Sequence, residues 1–218
     1  MKFLGVPSSG SLQGETNSHN RFGQYVRSRS TPVNPNTTQQ GIARARLAQT
    51  SAAWRLLSAN QRTGWDSLGL QMTRTDSLGQ TYTLTGSQAY SSVNSTRLAA
   101  GDAVVSDAPA VTTPVALTSV TLTLTAAAFS IAYTPTPLAT GQRLFTFTSP
   151  GRSAGRSFES DYRLLAVSAA AAASPANVFA AFSARFGIPV VGQRVFLQLH
   201  VYELGFLSGP LVTSQVVA

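Results

Sequence analysis

The sequence predicts an α+β protein with an extended basic arm over residues 1–36, a small helical unit over 37–100, a linker over 101–114 and an all-β sandwich over 115–218. Three observations carry that prediction. Capping-box tetrapeptides open apolar-periodic stretches in the first half of the chain. From Val115 onward, apolar residues alternate with threonine at a period of two. The positive charge is concentrated in the first third, which is also rich in Ser, Gly, Asn and Pro.

The arm comes first. Residues 1–36 show no apolar periodicity, and Pro32 and Pro35 push the residues before them toward extended geometry, so Thr31 to Pro35 should be stiff. A segment of this composition buries too little apolar surface to fold alone, so it is expected to gain order from neighbours. Nine of the sixteen basic residues lie in the first 75 positions, against only Glu15 and Asp66. That asymmetry favours an acidic or polyanionic partner, with Arg27, Arg29, Arg44 and Arg46 as the contact candidates alongside Pro32, Asn34 and Pro35. Fifteen of the sixteen are arginine, whose planar fork tolerates buried interfaces better than lysine.

The helical unit begins at Thr37-Thr38-Gln39-Gln40, where the Thr37 hydroxyl and the Gln40 amide can satisfy each other's free backbone groups. Ile42, Ala45, Ala48, Ala52 and Leu56, widened by Leu47, Trp54 and Leu57, keep helical spacing and predict a helix over 38–57. A second capping box, Ser58-Ala59-Asn60-Gln61, opens a short helix carrying Trp65 and Leu68 and stopping near Gly69. The two helices form a hairpin with one tryptophan on each, and Trp54 and Trp65 are read as a shared core. Residues 70–85 suggest a loop or short hairpin around Tyr82 and Leu84. A third helix is predicted over 87–99, with Tyr90, Val93 and Leu98 inward and Gly101 ending it. Pro109 and Pro114 among alanines and aspartates make 101–114 a linker.

Strands are predicted around Val120–Leu124, Phe129–Tyr133, Leu144–Phe147, Tyr162–Val167, Val178–Phe186, Val195–Tyr202 and Leu211–Val217. Seven short strands separated by Pro, Gly and Ser turns form the pattern of an immunoglobulin-like or fibronectin type III-like sandwich. The five alanines at 169–173 favour a helical turn or packed loop.

Composition excludes several kinds of chemistry. With no cysteine, disulfides and thiolate sites are ruled out. Only 11% of residues are charged, so the polar surface rests on Ser, Thr, Gln and Asn, which suits close packing against neighbours. Eight acids and two histidines, His19 and His200, show no metal-type spacing, and His200 reads as a plain strand residue. Glu159 and Asp161, near Arg156 and Arg163, read as a surface ion-pair cluster. Arg152 and Arg156 in Ser-Pro-Gly-Arg-Ser-Ala-Gly-Arg offer an anion contact, but a turn is the simpler reading. No nucleophile–base pair, cofactor motif, secretory leader or membrane-length apolar run is found, so no enzyme activity, cofactor, metal, membrane partner or small-molecule substrate is expected.

The run RSRSTPVNPNTTQQ at 27–40, the spacing Trp54-Arg55-Leu56-Leu57-Ser58 with Gln61-Arg62 and Trp65, and Thr85-Gly86-Ser87-Gln88-Ala89-Tyr90 with Asn94 resemble a family of uncharacterised proteins common in tailed bacteriophages and prophages. The family's pattern is a basic NP-T-Q arm, a W-x-x-L-(S/T)-x-x-Q-R-x-x-W helix pair and an aromatic-Asn helix. The match covers residues 20–100. Residues 115–218 resemble fibronectin type III-like modules appended to such proteins, with Gly141-Gln142-Arg143 and Ser153-Ala154-Gly155-Arg156 at inter-strand turns. The resemblance implies a structural role in a virion, as a capsid-associated, decoration or head-tail or tail protein, with the chain synthesised in the host cytoplasm. Its partners would be other virion proteins and further copies of the chain in a symmetric homo-oligomer. The alternatives are a nucleic-acid-binding protein using the basic third and a glycan- or cell-surface-binding adhesion module using the sandwich.

Overall fold

The computed structural model describes residues 9–21, 23–31, 33–76 and 78–218, and the chain divides between Ile42 and Ala43 into two compact units. In the N-terminal unit, β1 (Gly10–Leu12), β2 (Glu15–Asn20) and β3 (Gly23–Ser28) form an antiparallel three-stranded meander. Leu12 pairs with Glu15, so Gln13-Gly14 is a two-residue hairpin loop, with Gln13 at a left-handed φ of 51°. The ladder continues as the Arg29 amide donates to the Gly14 carbonyl at 2.7 Å.

This corrects the expectation of an arm without its own fold. Residues 10–28 pair locally through the backbone, which needs neither apolar alternation nor a buried core; the strands are exposed or at most half-buried. Short hairpins between sequence neighbours carry little loop-closure entropy, and composition alone does not register them. Residues 33–37 follow without regular structure.

Three helices follow: α1 (Thr38–Arg55), α2 (Ala59–Gln71) and α3 (Gly86–Ala100), with a small hairpin of β4 (Thr73–Thr75) and β5 (Thr81–Thr83) between the last two. Each helix opens on a capping box. The Thr37 amide donates to Gln40 Oε1 at 3.2 Å while the Gln40 amide donates to Thr37 Oγ1 at 3.3 Å. The same reciprocal pair forms at Ser58–Gln61 and at Thr85–Gln88. Gly101, left-handed at φ 84°, ends α3 as expected. The stripe read along α1 does not turn inward. Leu47 and Leu56 are 57% and 87% exposed, Ile42 also faces solvent, and within the helix only Thr50 is buried. Only the C-terminal end of the helix packs, through Ala53, Trp54 and then Leu57.

The β-part contains β6 (Ser119–Leu124), β7 (Phe129–Thr134), β8 (Arg143–Thr148), β9 (Arg152–Ser153), β10 (Arg163–Val167), β11 (Ala176–Asn177), the helix α4 (Phe179–Phe186), β12 (Gln193–Glu203), β13 (Phe206–Leu207) and β14 (Leu211–Val216). One antiparallel sheet has the order β11-β7-β6. The other runs β10-β8-β12, with β13, β14 and β9 also pairing with β12. Leu124, Phe129 and Ile131 from the first sheet share a core with Leu144, Val195, Leu197, Leu199 and Val201 from the second.

The strand expected over 178–186 is replaced by α4. Phe179, Phe182 and Phe186 are spaced three and four apart, so they fall on one helical face among helix-favouring alanines, and Phe182 is buried against Phe129. The alanine run is a loop rather than a helical turn, and only Ala172 of the five is half-buried: its carbonyl accepts from the Leu138 amide and the Tyr133 hydroxyl, and Ala171 is left-handed at φ 53°.

Strand β12 explains how the helices and the sheets become one unit. Its odd-numbered residues from Val195 to Val201 enter the inter-sheet core, and Tyr202 points to the opposite face, where it joins Phe145 and Ala100 at the end of α3. A strand buried on both faces cannot be the solvent-facing wall of a separate module. The segment expected as a linker is accordingly a packed strap: Val104, Val105 and Ala108 lie against the helical core.

Candidate functional site

Of the arginines proposed as contacts, Arg27 and Arg29 belong to the N-terminal unit and Arg44 and Arg46 to the second. Arg27 lies on β3 opposite Thr16, and Arg29 follows the strand; both are exposed. Asn34 and Pro35 are exposed, and Asn34 Oδ1 accepts from the Asn36 amide at 3.2 Å. Pro32 lies outside the described residues. Arg44 is exposed on α1 and Arg46 is half-buried. At 100° per residue, positions two apart project to nearly opposite sides of a helix, so these two cannot grip one ligand. Among the described residues, none of Arg27, Arg29 and Arg46 belongs to an ion pair closer than 4.0 Å.

The tryptophan motif is brought together, as a scaffold. Trp65 is fully buried, its ring centroid 5.0 Å from that of Tyr90 in an edge-on contact, and its Nε1 donates to the Ser106 carbonyl at 2.7 Å. Trp54 is half-buried, 5.3 Å from Tyr90, and the Arg62 guanidinium stands 5.8 Å above it while donating to the Arg55 carbonyl at 3.0 Å. Buried Asn94 holds the strap by both ends of its amide: Nδ2 donates to the Val105 carbonyl at 3.2 Å and Oδ1 accepts from the Val105 amide at 2.9 Å. Gln61 adds a bond from Nε2 to Asp107 at 3.1 Å. The residues that make the motif conspicuous therefore converge on residues 105–107, and their chemistry is spent on holding the chain.

The Ser149–Arg163 region carries its own anion. Glu159 is buried and accepts from Arg152 at 2.5 Å, Arg156 at 3.2 Å and the amides of Ser160 and Asp161 at 2.9 and 3.0 Å. The Asp161 amide, with Arg152 and the Ser160 amide, holds its carboxyl down to about 2 against the opposing effect of burial. Arg163, bonded to Asp161 at 2.9 Å, lowers that carboxyl too. The cluster is the ion-pair group read from sequence, with its central carboxylate buried rather than at the surface. The anion-binding option for Arg152 and Arg156 is thus taken by Glu159.

Sequence reasoning did not find a cleft of about 470 Å³ formed where the β4 strand, α3, the strap and the β12–β13 turn meet. Gly205 sets its wall: it is left-handed at φ 101°, and any Cβ there would collide with Val93 of α3. The cleft is lined by Arg74, Ser92, Thr96, Thr112, His200 and Phe206, among others. Arg74 Nη2 donates to Ser92 Oγ at 3.3 Å, and Thr96 Oγ1 donates to the Ser92 carbonyl at 3.0 Å. His200 Nδ1 lies 2.7 Å from the Ser208 carbonyl, which makes Nδ1 the protonated nitrogen and leaves Nε2 as an acceptor. These groups come from five segments, and no local signal links them.

Among the described residues there is no group of three or more His, Asp or Glu suited to a metal, and no helix is long and apolar enough to cross a membrane. Compared with protein-family models, curated proteins and solved structures, the chain matches none.

Proposed function

We propose that this chain is a structural component of a bacteriophage virion, anchored through its basic N-terminal unit and displaying a fibronectin type III-like sandwich. The observation that carries the reading is the contrast between the two units. The first places Arg27 and Arg29 at exposed positions with no ion pair within 4.0 Å among the described residues, whereas Arg143, Arg152, Arg156 and Arg163 of the second pair with its own carboxylates. Exposed, unneutralised guanidiniums suit an acidic neighbour, and the three-stranded meander has edges able to accept a further strand. Weak single contacts of this kind gain strength through repetition in a symmetric particle.

Strand order supports the sandwich type. The main strands β6, β7 and β11 form one sheet, and β10, β8, β12 and β14 form the other, so the chain crosses between sheets after β7, after β10 and after β11. A division of this kind is compatible with the proposed immunoglobulin- or fibronectin type III-like sandwich.

The test is incorporation into particles. Full-length chain and a variant lacking residues 1–36 would be supplied during infection, and purified particles assayed for each. The reading expects the truncated chain to remain folded in solution and to be missing from particles; normal incorporation overturns it. A nucleic-acid role fits less well. The only arginine of α2, Arg62, is folded back onto Trp54 and the Arg55 carbonyl and is not available to a base edge.

A further inference from the structure

We propose that the cleft between α3 and the β12–β13 turn binds a small ligand bearing one carboxylate and neighbouring hydroxyls, of the size and chemistry of an acidic monosaccharide. Its volume of about 470 Å³ lies within the range of small-molecule sites. Arg74 supplies the charge. Its guanidinium touches Ser92 Oγ and, among the described residues, belongs to no ion pair, so its planar fork is open to a carboxylate. Among the described residues, Arg74 is the one Lys or Arg lining the cleft, which suits a monoanion better than a phosphate dianion.

The remaining polar groups match hydroxyls, which both donate and accept. Ser92 Oγ accepts from Arg74 and keeps its proton to donate, Thr96 Oγ1 gives its proton to a carbonyl and keeps lone pairs, and His200 Nε2 accepts. Thr112 Oγ1 is the independent pointer. It is buried at the cleft wall with no hydrogen-bond partner among the described residues, a cost that a ligand hydroxyl reaching it would remove. Met72, Phe206 and Pro210 add an apolar surface for the C–H face of a sugar ring.

The experiment titrates the isotope-labelled full chain with sodium glucuronate, and separately with glucose and with sodium acetate, each up to about 50 mM, while following amide resonances. Glucuronate is expected to give saturable shifts at Ser92, Thr96, Thr112 and His200, with glucose and acetate each at least about tenfold weaker. Arg74→Ala should weaken glucuronate binding about tenfold or more, and Thr112→Val by a smaller factor. Arg74 is exposed, so its variant is expected to keep the wild-type spectrum away from the cleft; Arg74→Gln provides a second test at the same position. The proposal is overturned if glucuronate produces no saturable shift at those four residues, or if both Arg74 variants bind it as the wild type does.

Discussion

Tyr202 on β12 donates its phenolic hydroxyl to Asp102 Oδ2 at 2.5 Å, and Asp102 Oδ1 accepts from Arg143 Nη2 at 2.9 Å. Asp102 is the second residue past α3, so this bond ties the end of the helical part to the centre of the larger sheet across 100 residues of sequence. Burial first, and then the Asp102 carboxylate, push the Tyr202 phenol well above its ordinary value.

Breaking this link is expected to destabilise the whole second unit. Tyr202→Phe and Asp102→Ala should each remove roughly 1.5–3 kcal/mol, the scale of a hydrogen bond to a charged group. At this chain length that is a fall in melting temperature of roughly 2–4 °C for each kcal/mol, read by calorimetry. Because the folded-state pKa of Tyr202 is raised, its contribution is present below the ordinary value of 10.0 and is lost as pH rises past it. Wild-type stability should therefore decline above that pH more steeply than that of Tyr202→Phe.

Glu159 gives the opposite pH signature. Its carboxyl is held down to about 2 in the folded protein against an ordinary value of 4.5, so its stabilising effect is full above 4.5 and disappears as pH falls toward 2. Urea midpoints measured across that window should fall for the wild type and change less for Glu159→Gln. Equal slopes for the two proteins would show that the Arg152–Glu159–Arg156 clasp does not form in solution.

Trp65 separates packing from hydrogen bonding. Trp65→Ala empties the centre of the helical core and is expected to cost about 3–5 kcal/mol. Trp65→Phe keeps an aromatic against Tyr90 but leaves the Ser106 carbonyl without its donor, and should cost less, on the order of 1–3 kcal/mol. Chemical denaturation followed by the fluorescence of the remaining Trp54 distinguishes the two.

Tyr90 makes a prediction of the other sign. It is fully buried, and its hydroxyl has no hydrogen-bond partner among the described residues. Tyr90→Phe should leave stability unchanged or raise it by up to about 1 kcal/mol, since an unpaired buried hydroxyl is itself unfavourable. A clear drop in melting temperature would count against the arrangement of α3 described above.

The close approach of α2 to the start of α3 depends on Gly86. A Cβ there would sit inside contact distance of the Asp66 carboxylate and backbone, while the Gly86 amide donates to Asp66 Oδ1 at 3.1 Å. Gly86→Ala is expected to lower stability by about 1–3 kcal/mol through overpacking, whereas Gly155→Ala, with open space around it, should do little. Parallel thermal melts of the two variants provide the comparison.

The features legible in the sequence are those whose cause is local. The capping boxes at Thr37–Gln40 and Ser58–Gln61 need only residues three apart, and they locate two helix starts correctly. Short apolar-rich runs between Pro, Gly and Ser turns, alternating with threonine in β6, locate six of the seven expected strands for the same reason. The pattern fails at Val178–Phe186, where the three-and-four spacing of the phenylalanines builds one face of a helix. Composition failed at residues 10–28, whose strands are held by the backbone ladder and bury little.

What only the tertiary structure decided is held by long-range contacts. Trp65 and Ser106 are 41 residues apart, and Asp102 and Tyr202 are 100 apart; these pairs turn the presumed linker into a packed strap and join helices to sheets. The cleft around Arg74 and His200 likewise exists only because the strap, α3 and the β12–β13 turn arrive at one place. A side chain's spacing along the chain reports which face of its own element it occupies, but not which distant surface will cover that face. The α+β class and the helix starts were therefore determined by the sequence alone, and the union of helices and sheets, with the cleft it creates, by packing.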